Sequence, residues 1–554
     1  MSLRTILAGL VLLLPFVIVT GAVVTYAVNL PYWDDYMIQD HLLLLKNTPG
    51  TGRKLARLFD QHWEHRIVWT RSLFFLYYKL AGQLNFYGLT LIGVLGLFAT
   101  VGVLGLAFRR TGLPLFYFLP VPFLLLTLQS HENLIWAMAS LQNFYILAFA
   151  LGAFYLLALG GRPAFLGALA LAVMASFTSG NGFLVFASGT VVLLWRRQGI
   201  RMLGWLSVGF LCVLGYFANY SRVSFFPSAF LFGFGEWVKA FFVFFGAFLD
   251  TFPYTKPYNL GYENPLWLAF LGGLIGVGFA LFHLLRLLLT SRTIAERHAS
   301  GAFWNTFFVG TTLFLLGTAA MTVYARVGFG GAGYLLQGRY KVYSPLFLSV
   351  CYLYFVWLYR RSPHLRRNWL VAMLVVVPVS LYADYQCLDG LINQRRKAVA
   401  TFLTWQMQTP APVREQVGLV FKDVKELPLP VDTAQLCRGA GPVSERIDRI
   451  GEEKYFFNLT RFRAKNSTLT RPDDGSYIVL IGRDSTYVVA ARPLRPYSVP
   501  EPVPSSGYYT DVFQAQISKE FVRPGRYRMG ILTYEKGAVR FGMTPQILHQ
   551  TTQL

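Results

Sequence analysis

Residues 85–108 read NFYGLTLIGVLGLFATVGVLGLAF and are followed at once by Arg109 and Arg110. This uncharged run, closed by two guanidiniums, has the length a helix needs to cross a hydrocarbon core of about 30 Å. Runs of the same kind recur through roughly the first 385 residues, and the reading places eleven spans. They are approximately 5–28, 85–108, 114–130, 141–160, 163–179, 182–195, 201–220, 265–290, 303–324, 343–360 and 368–386. The fold class predicted is an α-helical polytopic membrane protein. The run at 5–28 lacks a small-residue cleavage site and reads as an uncleaved first helix.

Composition agrees. Of 554 residues, 54% are hydrophobic and 14% charged, against about 25% charged in soluble domains. The net charge of +23 would point to nucleic acid in a soluble protein. Here the basic clusters Arg109-Arg110, Arg196-Arg197-Arg201 and Arg360-Arg361-Arg366-Arg367 sit between apolar runs, where cytoplasmic loops carry them. With Arg4 beside the first span, the amino terminus is expected inside, and nucleic acid is not an expected partner. Four cysteines show no metal spacing; Cys387 and Cys437 lie beyond the last span, so a disulfide between them stays open.

Two helical segments do not read as spans. Residues 66–82 mix Arg66, Arg71 and Lys79 with aromatics, which suits an interfacial helix. Residues 236–250 are too short to cross unaided. The chain therefore divides into a membrane region, 1–390, with a first external loop at 29–84, an amphipathic and linker segment, 391–440, and a β-rich domain, 441–554, expected to be a small sandwich outside the cytoplasm.

Five polar clusters fall on the side opposite the arginine clusters. PYWDDY at 31–36 carries Asp34 and Asp35, adjacent acids that diverge in an extended backbone. One can act as a general base or metal ligand while the other caps the helix expected at 36–46. QHWEHR at 61–66 carries His62, Glu64, His65 and Arg66. The histidines at i, i+3 would share a helical face and could hold a divalent metal ion, although the pattern is not HExxH. QSHEN at 129–133 contributes His131 and Glu132, followed by Gln142-Asn143, and SGNG at 179–182 contributes Asn181. Last, the glycine-rich stretch 324–334 leads to QGRYK at 337–341. Its amides, with Arg326, Arg339, Tyr340 and Lys341, suit a phosphate, or the headgroup of an anionic membrane lipid.

WDDY, QHWEHR, SLQN, SGNG and GRY, with many spans and a soluble tail, resemble the GT-C superfamily of membrane glycosyltransferases. Within it they are most similar to the bacterial branch related to protein mannosyltransferases and the lipid A aminoarabinose transferase. The resemblance covers roughly residues 1–390. It implies a polyprenyl-phosphate sugar donor and inverting transfer to a glycan, lipid or protein acceptor on the outer side of a bacterial inner membrane. It also implies Asp34 as general base, Asp35 as its positioner or a metal ligand, and Arg326, Arg339 and Lys341 as receivers of the departing phosphate. Glu64-His65 matches the family's first-loop Glu-His element. Relatives often follow that element with proline; Arg66 stands there in this chain, and an extra phosphate contact is the expectation. His62, His131, Glu132, Asn181 and Tyr340 complete the expected substrate surface. Competing readings are a transporter or flippase, whose charges would lie nearer the midplane, and a non-catalytic subunit of polysaccharide assembly.

Overall fold

The computed structural model describes residues 3–221, 227–251, 266–290, 301–425, 428–453, 456–462, 472–493, 509 and 512–551. Among these, eight helices are long and apolar enough to cross a membrane: Ile6–Tyr26, Phe86–Arg109, Ala137–Leu159, Gly199–Phe217, Leu266–Leu289, Ala302–Phe329, Gly338–Leu358 and Leu365–Gln408. The chain is a multi-pass membrane protein. It divides into two compact units, the first Met1–Ala27, Leu44–Tyr77 and Tyr87–Gly390, the second Val28–Leu43, Tyr78–Phe86 and Leu391–Leu554.

Three of the eleven expected spans fall short. Residues 114–130 do not form one helix. Two short 3-10 turns, Leu115–Phe118 and Leu128–Ser130, flank a six-residue helix, Pro120–Leu125. Pro114, Pro120 and Pro122 interrupt the ladder, and residues 117–130 are buried, so their apolar character serves the protein interior and not lipid. Arg162–Ser176 and Gly180–Trp195 are apolar but shorter than a span.

Within the first unit, small residues let helices approach closely, as expected where lipid and side chains are equally apolar. A Cβ on Gly96 would stand 2.8 Å from the Tyr145 ring, and one on Gly273 would run into the Phe242 carbonyl. The latter contact joins Phe234–Gly246 to Leu266–Thr290. The segment expected at 236–250 is thus a 13-residue helix whose Ala240, Val243, Phe244 and Phe245 are buried.

The last span and the amphipathic segment after it are one 44-residue helix, Leu365–Gln408. At 1.5 Å per residue it runs about 66 Å, twice a hydrocarbon core. Its residues beyond Gly390 belong to the second unit, where Val399, Ala400 and Leu403 pack on a sheet.

That sheet corrects the expected sandwich. Seven antiparallel strands, β1 Arg449–Glu452, β2 Phe456–Phe462, β3 Gly475–Ile481, β4 Thr486–Pro493, β5 Val512–Ser518, β6 Gly525–Glu535 and β7 Ala538–Gln550, form one half-barrel in the order β1-β2-β5-β4-β3-β6-β7. β3 is buried along its whole length. Ile478 and Leu480 enter a core with Phe457, Phe513 and Ile531, and the alternating Tyr477, Val479 and Ile481 enter a core with Leu403 and Leu436. Alternation across the pleat supplies two apolar faces, and a helix covers the one where a second sheet was expected. β6 and β7 join through Lys536 and Gly537, at φ +52° and +90°, the two left-handed residues of a type I′ turn.

Candidate functional site

Residues 61–66 form a two-residue hairpin where a helix start was expected. The His62 N–H donates to the His65 carbonyl at 2.7 Å and the His65 N–H to the His62 carbonyl at 2.8 Å. At its tip Trp63 has φ +49°, a region costing a bulky L-residue about 1–2 kcal/mol. Side chains from distant segments hold the strained turn. Gln61 Nε2 donates to the carbonyls of Trp63 at 2.6 Å and Ser221 at 2.7 Å. The hydroxyls of Tyr216 and Tyr220 each donate to the Glu64 carbonyl at 3.3 Å.

Arg66 is the main tie. Its Nε, Nη1 and Nη2 donate to the carbonyls of Tyr216, Phe59 and Ala218, at the ends of helices Thr51–Leu58 and Gly199–Phe217. Helix C-termini present orphan carbonyls that a cation satisfies well. Each of its three nitrogens donates to main chain, which gives Arg66 a structural tie at the place where a phosphate contact was expected. Arg71 repeats the device one turn on, donating to Asp60 and Gln61 carbonyls; burial brings its guanidinium down to about 10. Tyr216 also accepts the Arg66 N–H at 3.2 Å. Tyr216→Phe is expected to lower stability by about 1–3 kcal/mol, read as a lower melting temperature in detergent.

The turn presents Glu64 and His65 to other elements. Glu64 Oε1 pairs with Arg326 Nη2, at the end of helix Ala302–Arg326, and lies 3.4 Å from His65 Nε2. Burial alone would raise the Glu64 carboxyl, but the charges of His65 and Arg326 outweigh it and hold the group below its ordinary value. Burial pulls the His65 imidazole down, Glu64 opposes, and Arg326 adds to the lowering. Its Nδ1 rests against the SGNG turn, where a Cβ on Gly180 would come within 2.8 Å. Only glycine permits that approach.

From Arg326 the network continues. Its Nε donates to the Tyr340 hydroxyl at 3.1 Å, and the Arg339 guanidinium lies 5.1 Å above the Tyr340 ring. Arg339 Nη2 donates to the Tyr334 hydroxyl at 2.9 Å, while Nη1 lies 3.5 Å from Glu132 Oε2. Asn133, bonded in turn by Asn143, donates to the Arg339 carbonyl at 3.0 Å. His131 is packed between Gly338 and Gly390, each of which would place a Cβ within 2.8 Å of the ring. Four of the five sequence clusters thus meet in the first unit: Glu64 and His65, Glu132 with its neighbours, the turn at 179–182, and Arg326 with Arg339 and Tyr340.

Several expected contributors turn elsewhere. Asn181 is buried and donates to Thr318 and Tyr343 at 3.2 Å, a strut between helices. Lys341 is fully buried; its Nζ lies 2.8 Å from Asp250 Oδ2 and donates to the Asp250 carbonyl at 2.6 Å. Gln129 Nε2 bonds the same carbonyl at 3.1 Å. The glycine-rich stretch is no open loop. It winds into 3-10 turns Val327–Phe329 and Gly331–Leu336, and the Ala332 amide donates to Glu236 Oε1 at 2.7 Å. An internal carboxylate thus takes an amide expected to face phosphate.

The acidic pair belongs to the second unit. Asp35 is buried at the start of helix Asp35–Asn47, and its Oδ2 accepts the Tyr32 N–H at 3.1 Å. The side chain thus reaches back three residues and ties the turn before the helix to its first residue. Asp34 is half-buried in the preceding turn. Tyr36 follows, its phenol raised above the ordinary range by burial and by Asp35.

Among the described residues no group of three or more His, Cys, Asp or Glu converges as a metal site. His62 and His65 face each other across a turn and share no helical face. All four cysteines are unbridged, with Cys387 buried and Cys437 exposed. Tyr216, Tyr220, Tyr334 and Glu236 escaped the sequence reading, because tyrosines at span ends read as an interfacial aromatic belt. No family model, no curated protein and no solved structure matches the chain.

Proposed function

We propose that the chain is a membrane glycosyltransferase that moves a sugar from a polyprenyl-phosphate donor to a glycan, lipid or protein acceptor on the extracytoplasmic side. One observation carries the reading: Arg326 and Arg339, both largely buried, flank Tyr340 and are steadied by Glu64 and Glu132. Guanidiniums desolvated and fixed in advance bind phosphate oxygens as paired donors and stabilise charge that grows as a glycosidic bond breaks. Asp34 is the base that takes the acceptor's proton. Asp35 is committed to the tie with Tyr32 and positions the turn. Lys341 is left out of phosphate binding, because its ammonium is neutralised by Asp250.

A transporter is the second reading, favoured by the fully buried Lys341–Asp250 pair, since ionisable groups inside a membrane often mark ion paths. The two separate in detergent, where no gradient exists. The enzyme releases polyprenyl phosphate and glycosylated acceptor; a carrier leaves the donor intact. Arg339→Gln is expected to weaken donor binding by about 10–100-fold, the loss of one or two charge-assisted bonds. Unchanged affinity in a direct binding assay would move the phosphate site elsewhere.

A further inference from the structure

Trp33 is the first central residue of the turn Tyr32–Asp35, which is closed by the Asp35 N–H donating to the Tyr32 carbonyl at 3.0 Å. Its φ of +47° lies in the left-handed region. Glycine, asparagine and aspartate take that turn position readily, and a bulky side chain there is an outlier. Neighbouring groups hold the strain. The Tyr32 N–H donates to Asp35 Oδ2 at 3.1 Å, and the Tyr36 N–H donates to the Trp33 carbonyl at 3.2 Å. The buried Tyr32 stacks on the indole, with ring centroids 5.5 Å apart and planes 12° from parallel. What the strain preserves is a large ring in one fixed orientation, 49% exposed. A backbone outlier held this firmly points to function.

The chemistry of the place suits a sugar. The face of an aromatic ring carries negative charge and attracts the polarised C–H bonds on the flat side of a pyranose, while the hydroxyls around the sugar's edge need hydrogen bonds. Asp34 is the second central residue, so its carboxylate leaves from the same tip of the turn and accepts from a hydroxyl. The helix that the turn opens, Asp35–Asn47, adds two polar groups. Tyr36 and Gln39 are neighbours at i and i+3, and Gln39 is only 2% exposed. The Tyr36 hydroxyl and Gln39 Oε1 are buried and make no hydrogen bond among the described residues. Groups that both give and take a hydrogen bond match such a pair, and sugar hydroxyls do so. An indole that anchors in lipid headgroups needs neither a strained backbone nor a fixed ring plane, so the bilayer explains less of this geometry. All of these residues lie in the second unit.

We propose that this turn is the acceptor subsite and that the acceptor is a hexopyranose of a glycan, its C–H face packed on Trp33 and one hydroxyl offered to Asp34. This assignment rests on Asp34 as the general base and narrows the acceptor to one chemical class. In the transfer, the acceptor oxygen bonds to the donor's anomeric carbon and its proton goes to Asp34. The bond from that carbon to the phosphate oxygen breaks, and its electron pair leaves with the polyprenyl phosphate.

The test is saturation-transfer NMR on the full-length protein in nanodiscs, free of maltoside detergent, with cellobiose, lactose and α-1,6-mannobiose as probes. The wild type is expected to pass saturation to the C–H protons on one face of a sugar ring in at least one of them. Glycine suits the left-handed backbone better than tryptophan. Trp33→Gly is therefore expected to keep or raise the melting temperature while weakening that disaccharide's binding by about tenfold or more. Trp33→Phe keeps a ring and is expected to retain most of the binding. Asp34→Asn is expected to bind the disaccharide and lose transfer, which separates the subsite from the base. A wild type that saturates none of the three, as an indole anchored in headgroups would give, overturns the subsite, and so does a Trp33→Gly variant that binds like wild type. The acceptor hydroxyl then belongs to a lipid or protein, and the transferase reading stands. Full transfer by Asp34→Asn overturns the base, and the acceptor assignment with it.

Discussion

Asparagine at position 34 is expected to slow sugar transfer by about 10²–10⁴-fold, the range lost when a positioned general base is removed, with folding and donor binding retained. The acceptor hydroxyl must lose its proton as the new glycosidic bond forms, and an amide cannot take it. The neighbouring residue provides the control. Asp35 accepts the Tyr32 N–H at the start of Asp35–Asn47, so Asp35→Ala is expected to cost about 1 kcal/mol of stability. Measured by product formation from a polyprenyl-phosphate sugar, full turnover in Asp34→Asn would end the assignment. A defect in Asp34→Asn that tracked the melting temperature would reduce it to a structural role.

The second large effect concerns Lys341. Its side chain has no exposed surface, and its ammonium lies against the Asp250 carboxylate and carbonyl. Lys341→Met takes the ammonium away from a buried carboxylate, and breaking such a pair costs about 3–5 kcal/mol. Replacing both partners, as in Lys341→Met with Asp250→Leu, removes both desolvation penalties and is expected to recover most of the loss. Thermal unfolding in one detergent compares the two. A single variant as stable as wild type would mean that water or another cation reaches Asp250. If the double variant binds donor like wild type, Lys341 is confirmed as no part of the phosphate site, in contrast to Arg339 two residues earlier.

The difference between Arg339 and Lys341 marks how far sequence reasoning reached. QGRYK offers two cations within three residues, and both satisfied the chemistry expected of a phosphate site. In the short helix Gly338–Lys341, residues two apart point to different sides, so one guanidinium meets Glu132 and Tyr334 while the ammonium meets Asp250. Arg66 shows the same limit. An arginine beside Glu-His invites a ligand role, yet its three nitrogens close the ends of two helices. Carbonyls that need a donor are invisible in sequence, because every residue carries one.

The β domain was misread for a related reason. β3 reads GSYIVLI, apolar on both faces of its pleat, which predicts burial on both sides without naming what does the burying. A sandwich and a sheet backed by a helix have the same strand pattern. The helix that supplies Val399, Ala400 and Leu403 begins at Leu365 and reads at first as an ordinary last span.

What the sequence by itself determined is the solvent of this protein and the residue types of its candidate site. Apolar runs of span length leave a helix no alternative in lipid, and the acids, imidazoles and guanidiniums of the candidate site lie between those runs or at their ends. The tertiary structure alone decided which of these groups meet. The partner of a buried charge is chosen by close packing, as where Gly180 admits the His65 ring and brings Glu64 to Arg326. That choice depends on residues more than a hundred positions apart, which no local pattern of composition or spacing encodes.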